Sequence, residues 1–383
     1  MSTVLIATDK FKGSLTAAEV AAAVAAGLRR VADPQVRIVP VADGGDGTLA
    51  TAVEAGFTAV PAIASGPIGE PVEAMWARRG ETALVEMADV CGLVRLPGGR
   101  LDPLHATSRG LGEVIAAAID AGCRDIVVGI GGSASTDGGA GMVQALGARL
   151  ADARGRELAA GGVGLSALVA VDLSRIGRRV QGVRLTFACD VDNPLTGPRG
   201  AAAVYGPQKG ATATDIARLD GALAHWADVV TAATGRDERD TAGAGAAGGV
   251  GYAALALLGA TLRPGIDLVL ELVGFHQVLA DLGPGDLVIT GEGSIDEQTL
   301  HGKAPAGVAL AARSRGVPVV AVCGRTTLTR ERLERAGISA AYALLDVEPD
   351  VGRCLAHPKP ILERLGEGIA REYLGGEGLS GSS

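Results

Sequence analysis

The chain has 383 residues, 48% of them hydrophobic but only 3% aromatic, and a formal net charge of −8. At about 100–200 residues per domain, that length points to two domains, with cores built from Ala, Val, Leu and Ile. The acidic balance, with no basic stripe, argues against nucleic acid as a partner, and no apolar run is long enough to span a membrane.

Val4–Thr8 is a short apolar run of the kind a buried parallel strand shows. After the loop Asp9–Leu15 comes Thr16-Ala-Ala-Glu19, a capping box, then an Ala-rich helix to about Val31 that Pro34 closes. Val36–Val41 reads as a second strand and leads into Asp43-Gly-Gly-Asp46-Gly-Thr48, with another Ala-rich helix behind it. This βαβα opening is the signature of a parallel sheet with right-handed crossovers.

The middle is richer in glycine. Asp125–Ile130 reads as a strand that runs into Gly131–Gly139 and a helix over Met142–Leu150. Arg184–Cys189 reads as a strand ending in Asp190-Val-Asp192-Asn193-Pro194. Thr212–Thr234 reads as a helix with Trp226 as its core anchor, and Gly243–Leu258 as a glycine-rich loop passing into an apolar helix.

Clean alternation then returns. The strands are Asp286–Thr290, Val317–Cys323 and Ile338–Leu345; the helices are Lys303–Arg315, Thr329–Ala336 and Pro360–Tyr373. A loop is expected over Gly291–Gly302, and a disordered tail after the last helix. The expected fold is therefore α/β with two α/β domains. Residues 1–70 and 286–383 form a doubly wound, Rossmann-like or flavodoxin-like parallel-sheet domain, and a second, Gly-rich α/β domain over residues 71–285 is inserted into it.

Polar, glycine-rich segments follow strand after strand, and ligands of open parallel sheets bind at the carboxyl ends of strands. Lys12 and Ser14 precede a helix N-terminus, where free N–H groups and the helix dipole favour anions. The oxygens of Asp43 and Asp46 suit a hydroxyl or Mg²⁺. Gly129-Ile-Gly131-Gly132-Ser133-Ala134 lets backbone N–H groups approach phosphate oxygens. The acidic ribose partner of a dinucleotide site is not in place, so a phosphate cradle fits better. Gly243, Gly245 and Gly248 repeat the spacing without a strand before them, which leaves close helix packing or an anion site. Asp190 and Asp192 suit a base or a metal. Arg199 could grip a carboxylate or phosphate in bidentate fashion, and Lys209 adds a second cation. Glu292 and Asp296 close another strand end. The five scattered cysteines form no CxxC pair and read as reduced thiols of a cytoplasmic protein; no signal peptide is readable. The P-loop and protein-kinase signatures are absent.

Taken in order, DKFKGSLTAAEV (Asp9–Val20), PVADGGDGT (Pro40–Thr48), GIGGSASTDGGAGM (Gly129–Met142), ACDVDNPLTGPRGAA (Ala188–Ala202), GPQKGA (Gly206–Ala211), GAGAAGG (Gly243–Gly249) and DLVITGEGSIDEQTLHGKAP (Asp286–Pro305) resemble the type I glycerate kinase family. The resemblance covers most of the chain. It implies phosphorylation of D-glycerate by ATP with Mg²⁺, generally to 2-phosphoglycerate, by two α/β domains with the site in the cleft between them. The chain departs from the family pattern at Lys10, Asp46, Thr136 and Ser294, where Ser, Glu, Asn and Arg are frequent; only Ser294 loses a possible cation.

On that footing Lys12, Ser14 and Arg199 are expected to hold the glycerate carboxylate, and Asp43 or Asp46 a hydroxyl. Asp190 is the expected base, with Asp192 second. Gly131, Gly132, Ser133, Gly245, Gly248 and Lys209 would bind the nucleotide, and Glu292 and Asp296 the metal. Lys12, Asp46, Gly132, Asp190 and Glu292 would then meet in one crevice. A homodimer is compatible with this reading. The competing function is a non-catalytic sensor of small carboxylates.

Overall fold

A computed structural model describes residues 2–45, 47–300 and 302–375. Asp46 and the tail from Gly376 lie outside the described residues. The chain divides into two compact units: Met1–Asp43, Ala50–Ala55 and Ile266–Ser383 form the first, Gly44–Leu49 and Gly56–Gly265 the second. The chain thus passes between units over residues 44–56 and at 265/266, against expected boundaries at 70/71 and 285/286.

The first unit is built on five parallel strands: β1 (Thr3–Thr8), β2 (Gln35–Ile38), β11 (Leu287–Ile295), β12 (Val319–Thr326) and β13 (Ala340–Ala343), in the order β13-β12-β11-β1-β2. Alternation along β1 explains why both faces need cover. Val4 and Ile6 pack with the helices Ala17–Val31 and Pro358–Tyr373, while Leu5 and Ala7 pack with Ala304–Arg313. Successive side chains of a strand point to opposite faces, so an unbroken apolar run marks a sheet buried on both sides. The helices Ala17–Val31 and Pro358–Tyr373 touch through glycine: a Cβ on Gly27 would lie 2.0 Å from the Glu363 carbonyl oxygen. In this order the direction of winding reverses between β1 and β11, and the crevice outside such a reversal is where open α/β sheets bind ligands.

The second unit carries β3 (Thr58–Ser65), β4 (Pro71–Arg79), β5 (Thr82–Glu86), β6 (Asp125–Gly129), β9 (Arg184–Ala188) and β10 (Thr261–Arg263), in the order β10-β9-β6-β5-β4-β3. From β5 to β10 the pairing is parallel; β4 and β3 are added antiparallel. A separate hairpin joins β7 (Arg149–Asp152) to β8 (Leu168–Asp172). Four large aromatic residues, Trp76, Phe187, Trp226 and Tyr252, are fully buried in this core.

Three expectations change. The helix expected over Met142–Leu150 stops at Ala145, because Gly147 turns the chain at φ +111° into β7. The loop expected from Gly291 begins as strand: β11 continues to Ile295 because β12 still pairs with it, Ser294 opposite Arg325. The strand expected over Ile338–Leu345 keeps only Ala340–Ala343 before a short helix, Leu344–Val347. Among the described residues no helix is long and apolar enough to cross a membrane.

Candidate functional site

In the first unit the polar residues gather at the β1–β11 reversal. The Asp9 amide donates to the Gly291 carbonyl at 2.8 Å, which ties the two strand ends together. The Asp9 carboxylate accepts the Lys10 amide at 2.6 Å. Burial first, then the fields of Asp43 and Glu292, push its pKa up to about 7. Glu292 is buried and also titrates above the usual carboxylate range, chiefly through desolvation. A hydroxyl donated by Thr299 and the Lys303 ammonium at 3.3 Å partly offset that. Asp296 accepts the Gln298 amide at 2.9 Å and so shapes the turn after β11. Lys12 is exposed, and its amide lies near Gly293. Ser14 donates to the Leu355 carbonyl at 3.4 Å. Beside Ser294, the position without a cation, the Arg325 guanidinium on β12 donates to the serine oxygen at 3.2 Å.

In the second unit four loops converge at the carboxyl ends of β5, β6 and β9. Gly44–Leu49 lies against the end of β6. A Cβ on Gly129 would sit 2.8 Å from the Gly44 carbonyl oxygen, and one on Gly131 3.3 Å from the Gly45 Cα. Buried Glu86, the last residue of β5, accepts the amides of Gly47 at 2.9 Å and Leu49 at 3.1 Å, and so fixes this loop from below.

Within Gly131–Gly139 only Gly131 and Gly132 are exposed; from Ser133 on the segment turns inward. Asp137, 1% exposed, accepts from the Ser108 amide (2.8 Å), the Ser108 hydroxyl (2.9 Å), the Thr107 hydroxyl (3.3 Å) and the amides of Gly139 (3.1 Å) and Gly141 (3.2 Å). The Trp226 indole donates to the Gly138 carbonyl at 3.0 Å. Gly245 and Gly248 are both buried. The Gly248 carbonyl accepts the Gly138 amide, and a Cβ there would lie 2.1 Å from the Ser135 carbonyl oxygen, so Gly248 serves close packing between loops. Next to it, Ala247 holds φ +52°, the one positive φ outside glycine among the described residues.

The third loop follows β9. Asp190 stands exposed, and one of its oxygens accepts the Gly265 amide at 2.8 Å. Asn193 is the hub. Its side-chain oxygen accepts the Tyr205 hydroxyl at 2.6 Å, its amide group donates to the Arg199 carbonyl at 2.8 Å, and its carbonyl accepts the Gly245 amide at 2.9 Å. Asp192 and Arg199 are exposed. Lys209 is 1% exposed, and its ammonium donates to Ser133 Oγ at 2.9 Å and to the Ser135 carbonyl.

The second unit therefore brings together Gly131, Gly132, Ser133, Asp190, Asp192, Arg199, Lys209, Gly245 and Gly248. The first holds Lys12, Ser14, Asp43, Glu292 and Asp296. Sequence reasoning missed Asp9, Asp137 and Asn193 as individuals inside segments it had singled out. It missed Glu86 altogether, although an apolar run ending in a carboxylate, Thr82–Glu86, was a readable signal.

Parallel sheets with glycine loops and carboxylates at their strand ends are the frame of an α/β enzyme, and the relatives whose names state an activity are kinases. The glycerate kinase family profile matches residues 4–374, and the chain belongs to this family. It is 46% identical to the glycerate kinase of Bacillus subtilis (strain 168) over 96% of each chain. It is 45% identical to the glycerate 2-kinase of Escherichia coli (strain K12), over 89% of this chain and 90% of that one. A crystal structure of a Salmonella typhimurium LT2 protein, provisionally assigned as glycerate kinase 2, superposes with a TM-score of 0.85 at 43% identity, covering 96% of this chain and 97% of that one.

Proposed function

We propose that this protein is a cytoplasmic kinase that transfers the γ-phosphoryl group of ATP to the 2-hydroxyl of D-glycerate, giving 2-phosphoglycerate. The observation that carries the reading lies within the second unit. At neighbouring parallel strand ends stand an outward-facing glycine turn (Gly131, Gly132), an exposed pair of carboxylates (Asp190, Asp192) and an exposed arginine (Arg199). Phosphoryl transfer needs positioning and charge neutralisation above all, and these groups supply both. Five unpaired cysteines agree with a reducing compartment.

In this scheme the Gly131–Ser133 backbone meets the phosphates, with Gly245 and Gly248 supporting that loop. Arg199 in the second unit, and Lys12 and Ser14 in the first, are the candidates for the glycerate carboxylate, and Asp43 or Asp46 for a hydroxyl. Asp190, oriented by the Gly265 amide, accepts the proton of the attacking hydroxyl, with Asp192 as the second candidate. Mg²⁺, when bound with ATP, supplies neutralisation of charge developing across the phosphates. Among the described residues no three His, Cys, Asp or Glu side chains are grouped closely enough to hold a metal ion. Mg²⁺ usually takes one or two carboxylates plus phosphate oxygens. Glu292 and Asp296, the two carboxylates at the end of β11, are the candidates for that role.

The test is direct. ADP should appear only when MgATP and D-glycerate are both present, with L-glycerate as control. ADP release that ignores glycerate, or none at all, would refute the assignment.

A further inference from the structure

Lys209 sits where a cation is expensive. Its ammonium is fully buried, no carboxylate among the described residues touches it, and the charged group whose field reaches it is Asp137, itself saturated by five neutral donors. An unpaired buried charge is normally replaced by an apolar side chain or expelled. What the ammonium does hold is the inner side of the Gly131–Gly139 loop, through Ser133 Oγ and the Ser135 carbonyl, from a point 76 residues away in sequence.

That loop is poor at holding itself. The hydroxyls of Ser135 and Thr136 are both buried and have no hydrogen-bond partner among the described residues. Buried polar groups left unpaired count against a conformation, so the loop's shape is imposed from outside. Lys209 and the Cys91–Leu93 backbone grip its first half, while Ser108, donating to Asp137, and the Trp226 indole fix the second half. The only exposed residues, Gly131 and Gly132, lie just ahead of the Lys209 grip.

We propose that Lys209 is a positioning residue for the phosphate-binding loop: it fixes Ser133 and Ser135 from beneath so that the Gly131–Gly132 backbone is presented to the nucleotide, and it does not itself touch ATP. This rests on the reading that the loop binds the phosphates of ATP.

The experiment uses the full-length protein with Lys209→Met and Lys209→Gln, the amide keeping a donor without the charge. Steady-state kinetics are measured together with hydrogen exchange of the 131–139 amides in the absence of nucleotide. In Lys209→Met, KM for ATP should rise about ten- to a hundredfold, the scale of a small misplacement of a binding group, while KM for glycerate stays within about twofold. Exchange should accelerate over residues 131–139 and not in the helix Ala213–Thr234. Lys209→Gln should fall in between, and it is judged by the same criteria if the Met variant does not fold. A raised KM for ATP with unchanged loop exchange would mean direct contact and overturn the proposal. So would exchange rising across the whole unit with both KM values, or unchanged kinetics. A wild-type protein that makes no ADP would count against the kinase reading instead; the exchange measurement, made without nucleotide, still decides whether the loop depends on Lys209.

Discussion

Asp190 has two tasks, and they can be separated. Its carboxylate orients against the Gly265 amide, a bond that Asn can keep, whereas accepting a proton needs the carboxylate. Asp190→Asn should therefore lower kcat about 10²–10⁴-fold with the thermal midpoint unchanged. Near-normal turnover would pass the role to Asp192. Asp9 makes a separate prediction through pH. Its folded pKa, about 7, lies above the ordinary 3.8, so the protonated form favours the fold. That stabilisation is complete below about pH 4. It is lost as pH rises through 7, because the unfolded chain releases its proton first. Asp9→Asn should gain stability over wild type progressively between about pH 4 and 7, as read by thermal unfolding across that range; parallel curves would contradict it. Residues of this kind were legible only as members of loops. The sequence marks Asp9–Ser14 and Gly131–Gly139 by glycine beside charge. Which carboxylate faces a neighbour, and that Lys209 points inward, depend on contacts 34 to 283 residues away along the chain.

At the scale of elements, Glu86 shows how a strand end builds a loop. It offers both carboxylate oxygens to the amides opening the helix Thr48–Glu54, and bonds to a charged acceptor are the stronger kind. Glu86→Ala should cost about 2–3 kcal/mol, because two amides lose their acceptor, and should raise KM for glycerate through the Asp43–Thr48 loop. Unchanged unfolding and kinetics would show the loop to be held otherwise. The βα alternation of the first unit was readable because its strands, buried on both faces, appear as continuous apolar runs. β3 and β4 were not, since Thr58–Ser65 carries Pro61 and exposed positions along a sheet edge. The helix after Gly139 was overextended because the apolar pattern runs on through Ala148 and Leu150, and only the left-handed Gly147 breaks it.

For the whole molecule, the sequence carried the class of chemistry better than the division of the chain. No change of composition announces that Gly44–Leu49 clusters with one unit and Ala50–Ala55 with the other, because the division follows contacts that only the folded chain makes. Family membership over residues 4–374 fixes the kind of reaction, while the position of the transferred group remains a matter of product chemistry. Phosphorus NMR of the enzyme with MgATP and D-glycerate reads it directly. Phosphate on the 2-oxygen sits beside one carbon-bound hydrogen and should appear as a new doublet growing in step with ADP. A triplet, from phosphate beside a CH₂ group, would move the transfer to the 3-hydroxyl and contradict the account, as would a spectrum in which ATP yields only inorganic phosphate.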